Sequence, residues 1–238
     1  MKADYFRINK INANNICLIL IILIPPALVT GPFIPDFFLS VASIIFLYIC
    51  FRDNKFYYFD NIFFKLFSIF WLYLVFNSLF SENMLHSLKI SIFYIRFGIF
   101  CILVNYLINI KKKFINLFFY TLIATIIFVS FDAYIQYFFG RNLFGWAPLE
   151  FPRISGLFGD ELILGSYLSR LIPLSIGIFF LKKIDIKIIL IFLVFIEVLI
   201  VITGERTAIG LIGLSTIFFI LLLNGFKILR IISIFLVF

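Results

Sequence analysis

Long runs of Ile, Leu and Phe, each broken by a short polar stretch, set the rhythm of this chain. The runs fall at about 16–31, 33–51, 62–80, 87–109, 114–139, 160–181, 186–203 and 207–224. Each is close to the roughly 20 apolar residues that an α-helix needs to cross a bilayer. They are apolar on every side, so the alternation of a membrane β-barrel strand is missing. The pattern predicts an all-α, polytopic transmembrane helical bundle with about eight complete spans. Pro25-Pro26 lies inside the first run and predicts a kink there. A ninth apolar segment starts near Phe226 and the sequence stops within it at Phe238. The expectation is therefore a single transmembrane domain over 1–238, the N-terminal portion of a longer protein.

Composition agrees with this reading. Of 238 residues, 64% are hydrophobic and 13% charged, against about 45–50% and 25% in soluble domains. The 36 Phe travel with abundant Ile, Lys and Asn; this is a compositional bias and not a cofactor box. Cys17, Cys50 and Cys101 all fall in or at the ends of apolar runs, with no CxxC or Cys/His cluster. No metal or redox site is expected from them, and no cofactor.

The net charge of +8 does not point to nucleic acid, because its placement follows membrane topology. With the N-terminus in the cytoplasm, thirteen basic residues lie on the inner side. They are Lys2, Arg7, Lys10, Arg52, Lys55, Lys111, Lys112, Lys113, Lys182, Lys183, Lys187, Lys227 and Arg230. Only Arg141, Arg153 and Arg206 lie outside. This is a strong positive-inside bias, and it leaves Arg153 and Arg206 unexplained by topology.

Arg153 sits in the longest outer loop, about 140–159, "GRNLFGWAPLEFPRISGLFG". Gly156 and Gly159 allow the backbone to bend close to a ligand. Asp160 is placed to cap the next helix, and Glu161 suits its first turn. Glycines, an arginine and a helix N-terminus together can bind a phosphate, although the two acids would repel it or instead orient Arg153 or Arg206. An ordinary capped loop fits the same residues. Arg206 lies in the outer turn "TGERTA", 203–208, after the chain-breaking Gly204. It either snorkels to lipid headgroups or makes bidentate contacts to a diphosphate, with Glu205 as its ion-pair partner.

Lys65, Lys89, Arg96 and Arg170 are the basic residues within the spans, and Arg96, Asp132, Arg170 and Glu197 are the ionisable groups read as lying inside the membrane. Groups at that depth are costly and point either to function or to buried pairs. Arg96 with Asp132, and Arg170 with Glu197, are the pairings considered. Gly165, Ser169, Pro173 and Gly177 recur every four residues, a small-residue face suited to close helix packing. Tyr167 and Arg170 lie partly off that face. The sole histidine, His86, falls in the short outer loop "SENMLHS"; a general base is one reading, a solvated loop histidine the favoured one.

The segment "RISGLFGDELILGSYLSRLIPL" (153–174) followed by "TGERTA" resembles the O-antigen ligase and polymerase family of bacterial envelope enzymes. That family carries an Arg-x-Ser-Gly loop, a helix with Gly-x-Tyr-Leu and a later proline, and a Ser/Thr-Gly-x-Arg turn. The matching residues are Arg153, Ser155 and Gly156; Gly165, Tyr167, Leu168 and Pro173; and Thr203, Gly204 and Arg206. The resemblance covers about residues 150–210. It implies a metal-independent glycosyltransferase at the periplasmic face of the bacterial inner membrane. The donor would be an undecaprenyl-diphosphate-linked glycan. The acceptor would be lipid A–core sugar or another lipid-linked glycan, with membrane lipids as surroundings. Arg153 and Arg206 would engage the donor diphosphate, supported by Ser155, Gly156, Gly159, Asp160, Glu161, Tyr167, Gly204 and Glu205. The chain departs from the family in two respects. The catalytic histidine of the family's large periplasmic loop has no counterpart here, His86 being misplaced, and Asp160-Glu161 replaces a commoner Asn/Pro-containing version. The resemblance thus implies a piece incomplete for catalysis. A transporter or lipid-linked glycan flippase, with the buried charges lining a pathway, is the alternative; a non-catalytic membrane scaffold is a third reading.

Overall fold

A computed structural model describes residues 13–148 and 153–222 of the chain. The expected ninth helix lies outside the described residues, as do the basic residues at positions 2, 7, 10, 227 and 230. Among the described residues, the regular elements are helices. They are α1 (Ala13–Ile22), α2 (Ile24–Ala27), α3 (Phe33–Asp53), α4 (Ile62–Ser78), α5 (Met84–Phe93), α6 (Ile95–Ile110), α7 (Phe114–Phe139), α8 (Leu164–Leu181), α9 (Ile186–Thr203) and α10 (Arg206–Leu222).

Local chemistry sets several of the ends. The segment after α1 turns by 47°, where Pro25 and Pro26 lack the amides that would continue the helix. Asp36 stands in the first turn of α3 and Arg52 in the last, each favourable to the helix dipole. The same helix ends on Asn54 in the left-handed conformation. Asn61 caps α4 by accepting from Phe64 N at 2.8 Å, and Asp185 caps α9 through Lys187 N at 3.0 Å. The expected helix over 87–109 starts earlier, at Met84, and breaks at Tyr94. His86 therefore sits in the first turn of α5 and not in a loop.

Five helices are long and apolar enough to cross a bilayer by length and composition: Phe33–Asp53, Met84–Ile110, Phe114–Phe139, Leu164–Leu181 and Ile186–Thr203. The bent Ala13–Ile22 and Ile24–Thr30 pair makes a sixth if taken as one span, and Ile62–Ser78 and Arg206–Phe219 are shorter apolar helices. Large apolar side chains point outward along these helices. Phe33, Phe63 and Phe139 are each about four-fifths exposed, at 79%, 80% and 80%. In water such a surface would aggregate; it is compatible with a multi-pass membrane protein.

The helices group into two compact units that divide within α7, Met1–Thr121 and Leu122–Phe238. The first is built on α3 against α6. Phe46, Ile49, Leu103, Tyr106 and Leu107 form its core with Cys17 and Ile21 of α1. Arg96 belongs to this unit. Its guanidinium pairs with Asp36 at 2.7 Å and donates to Ser40 at 3.1 Å, in place of the pairing with Asp132 considered from sequence. In the second unit α8 packs on both α9 and α10. Its buried stripe runs through Leu164, Leu168, Ile172 and Ile176, with Gly165 and Ser169 beside it. The four-residue small face holds only at that end: Gly177 is exposed with open space where a side chain would stand.

Candidate functional site

One end of the second unit, where α7 ends and α8 begins, holds a cluster of polar side chains. Asp132 and Gln136 lie one turn apart on α7 and are fully buried. Both are spent on the loop that follows. Asp132 accepts from Leu143 N at 2.9 Å and from the Asn142 side chain at 3.4 Å. Gln136 Oε1 accepts from Ser155 N at 3.0 Å and Gly156 N at 2.7 Å, and its amide donates to Trp146 O at 3.3 Å. Asn142 ties the two halves of the loop together. Its Oδ1 accepts from Trp146 N at 2.8 Å, and its Nδ2 donates to Gly156 O at 3.1 Å. Buried backbone groups need such partners; here α7 side chains supply them in place of secondary structure.

The glycines bend as expected. Gly156 has φ +56° and Gly159 φ +59°, the left-handed region that favours glycine. A Cβ on Gly156 would also stand 3.3 Å from Ala133 Cβ. Phe158, in the short 3₁₀ turn Gly156–Phe158, packs against Tyr167 with ring centroids 5.2 Å apart and the rings tilted by 56°.

The start of α8 departs from expectation. Asp160 and Glu161 are exposed and precede the helix, which begins at Leu164 with no side-chain cap from its own flank. The capping acid is Glu205. Its carboxylate accepts from Gly165 N at 2.7 Å, from Ser166 N at 3.0 Å and from Ser166 Oγ at 2.6 Å. A carboxylate at a helix N-terminus satisfies free amides and faces the positive end of the dipole. Glu205 thus turns to α8, not to Arg206. The approach requires Gly165: a Cβ there would lie 2.6 Å from Thr203 Oγ1 and 3.0 Å from Ala208 Cβ.

The turn between α9 and α10 completes the site. Gly204 ends α9 with φ +69° and ψ +13°. The stem of Arg153 lies over it: a Cβ at 204 would be 3.4 Å from Arg153 Cγ and 3.8 Å from Nε. Arg153 is half-buried, while Arg206 is exposed as the first residue of α10. The fold therefore brings the loop "RISG" onto the turn "TGER", with Tyr167 on the adjoining helix.

The remaining sequence candidates stand apart from this cluster. Arg170 is exposed on α8. Glu197 is half-buried on α9 and accepts from Thr216 Oγ1 at 2.6 Å, a partner different from the Arg170 considered. The sequence reading passed over Gln136, Asn142 and Ser166. Asp132 and Gln136, polar and four apart at the end of an otherwise apolar helix, were the available signal. Among the described residues no group of His, Cys, Asp and Glu could hold a metal ion. Comparison with protein-family models, curated proteins and solved structures finds no match to this chain.

Proposed function

We propose that this chain is the membrane part of a glycosyltransferase of the O-antigen ligase and polymerase type. It moves a glycan from undecaprenyl diphosphate to an acceptor hydroxyl of lipid A–core or of another lipid-linked glycan. In this reading the chain crosses the bacterial inner membrane eight times from a cytoplasmic N-terminus, and the site faces the periplasm. The observation that carries the reading is the Arg153 stem lying on Gly204. Two motifs distant in sequence, each with an arginine, meet at one end of the α8–α9–α10 cluster.

The chemistry follows from charge. When the bond between sugar and diphosphate breaks, negative charge grows on the departing phosphate oxygens. Guanidinium groups already in place stabilise that charge without reorganising, and their planar fork fits phosphate geometry. Arg206, with its exposed side chain, takes the diphosphate directly. Arg153, with its stem fixed on the turn, holds the second position. Arg96 and Asp132 each have local polar partners, which favours fixed structural roles over the lining of a transport pathway.

The test is glycan transfer in membranes of cells carrying variants of the protein. Arg206→Ala should lower transfer by roughly a hundredfold or more at unchanged expression, and Arg153→Lys should also be damaging. Near-normal transfer by both variants would remove the arginines from the site. Cysteines placed at 153 and 206 should react with impermeant reagents from the periplasmic side; reaction from the cytoplasm would overturn the topology and the mechanism with it.

A further inference from the structure

A second polar feature lies away from the arginine site, on the opposing faces of α9 and α10. There Val194, Val198, Val201, Ile202, Ile209 and Ile212 line a cleft of about 280 Å³, and Glu197 is the one ionisable group among its described lining residues. Glu197 is six residues from the end of α9, so it stands about 9 Å inside the helix at 1.5 Å per residue. Val194, Val198 and Val201 beside it are about half exposed, at 46%, 47% and 56%. The carboxyl therefore looks into an apolar opening and not into a packed core.

Among the described residues no cation neutralises it. The charged groups on the packed helices are Arg170 on α8, Lys187 at the far end of α9 and Arg206 at the start of α10. None of them ion-pairs with Glu197. From α7, Tyr134 reaches α9 but donates to Phe195 O at 2.7 Å. The polar contact of Glu197 is Thr216 Oγ1 at 2.6 Å, a hydroxyl that can donate to the carboxylate or accept from the acid. An ionised carboxylate at that depth, without a cation, is strongly disfavoured in hydrocarbon, whereas a neutral acid sharing one hydrogen bond with a threonine is not.

We propose that Glu197 and Thr216 form a proton-binding site that opens to the bilayer hydrocarbon through the α9–α10 cleft. The site rests on the chain spanning a membrane and is independent of any glycan chemistry at the arginines.

A membrane-soluble carbodiimide tests it. The acid proton passes to one carbodiimide nitrogen as the carboxyl oxygen adds to the central carbon. The acyl group then migrates from oxygen to nitrogen, leaving an N-acylurea that retains every atom of both reactants. The protein in lipid vesicles, treated with dicyclohexylcarbodiimide at neutral pH, should gain one reagent mass on the peptide containing Glu197. The labelling rate should fall as the pH is raised, because the acid form reacts. A water-soluble carbodiimide should label exposed Asp160 and Glu161 at acidic pH but leave Glu197 at least tenfold slower. Thr216→Val should retain the label and Glu197→Gln should lose it. An unlabelled Glu197 under the hydrophobic reagent, or equal labelling by both reagents, overturns the proposal. Since the decisive comparison uses the unaltered protein, misfolding of a variant cannot imitate either result.

Discussion

Glu205 accepts the amide hydrogen of Gly165, forty residues earlier in the chain, at 2.7 Å. One carboxylate thereby joins the start of α8 to the turn that opens α10. Replacing it with alanine leaves two backbone amides and the Ser166 hydroxyl without their acceptor. Buried donors to a charged acceptor are costly to orphan. Glu205→Ala should destabilise the protein by roughly 2–3 kcal/mol, read as a lowered thermal midpoint in detergent. Glu205→Gln keeps an acceptor and should lose less; equal losses would mean that a neutral acceptor contributes nothing there and that the charge carries the effect.

Gly165 is the other half of that junction. Gly165→Ala pushes a methyl group against Thr203 and Ala208, an overpacking expected to cost about 1–3 kcal/mol. Thr203→Ala opens space at the closest contact. The double variant should therefore be more stable than the two single losses added together, by a coupling of about 1 kcal/mol. Strict additivity would show that α8 can shift without consequence.

Gln136 holds the loop from beneath. Gln136→Ala orphans the buried amides of Ser155 and Gly156 and removes one of two donors to the Trp146 carbonyl, which keeps Asn142 N at 3.0 Å. A destabilisation of roughly 2 kcal/mol is expected, with a change in Trp146 fluorescence at temperatures where the helices remain intact. The second tryptophan, Trp71, donates to Ser91 O at 2.9 Å in the other unit, so a Trp71→Phe background isolates the signal. Unchanged Trp146 emission would show that the loop stands without α7.

A pH effect is expected before α4. Asp60 and Lys65 pair at 2.6 Å, and the Lys65 hydrogen bond and charge hold the Asp60 carboxyl below the ordinary aspartate range. A depressed carboxylate contributes stability above its unfolded pKa and loses that contribution as pH falls through the folded value. Both side chains are well exposed, so solvent screening keeps the contribution small. Lys65→Met should move the titration of the Asp60 carboxyl carbon, followed by NMR, upward to the ordinary range, with little change in thermal midpoint at neutral pH. An unmoved titration would assign the depression to the start of α4.

What the sequence made legible was local. Pro25-Pro26 announces the bend after α1 because proline acts on its own turn, and Gly156, Gly159 and Gly204 announce their bends for the same reason. The cap of α8 was not legible. Asp160 and Glu161 stand close before the helix, where a cap is ordinarily found, but the first helical residue is Leu164 and the acid that serves it comes from a turn two helices later. Only the packing of α8 on α9 and α10 brings Glu205 there. The break at Tyr94 was hidden similarly, since Ile, Phe and Tyr continue through it without a proline or glycine. Partners of the buried charges followed neither apparent depth nor sequence order: Arg96 found Asp36, and Glu197 found a threonine. Arg153 and Arg206 stood out because topology could not account for them, yet the seat of Arg153 against Gly204 comes from tertiary packing, which residue order does not display.

Two demands meet at one position. Gly204 adopts a left-handed turn to end α9, and a side chain there would start in ordinary contact, at 3.4 Å, with the Arg153 stem. Asparagine could meet the first demand but would have to share that space with the stem. The turn thus acts as a gauge for the loop: its backbone sets how far the guanidinium stands from the protein, so a change of a single residue there alters reach without touching charge.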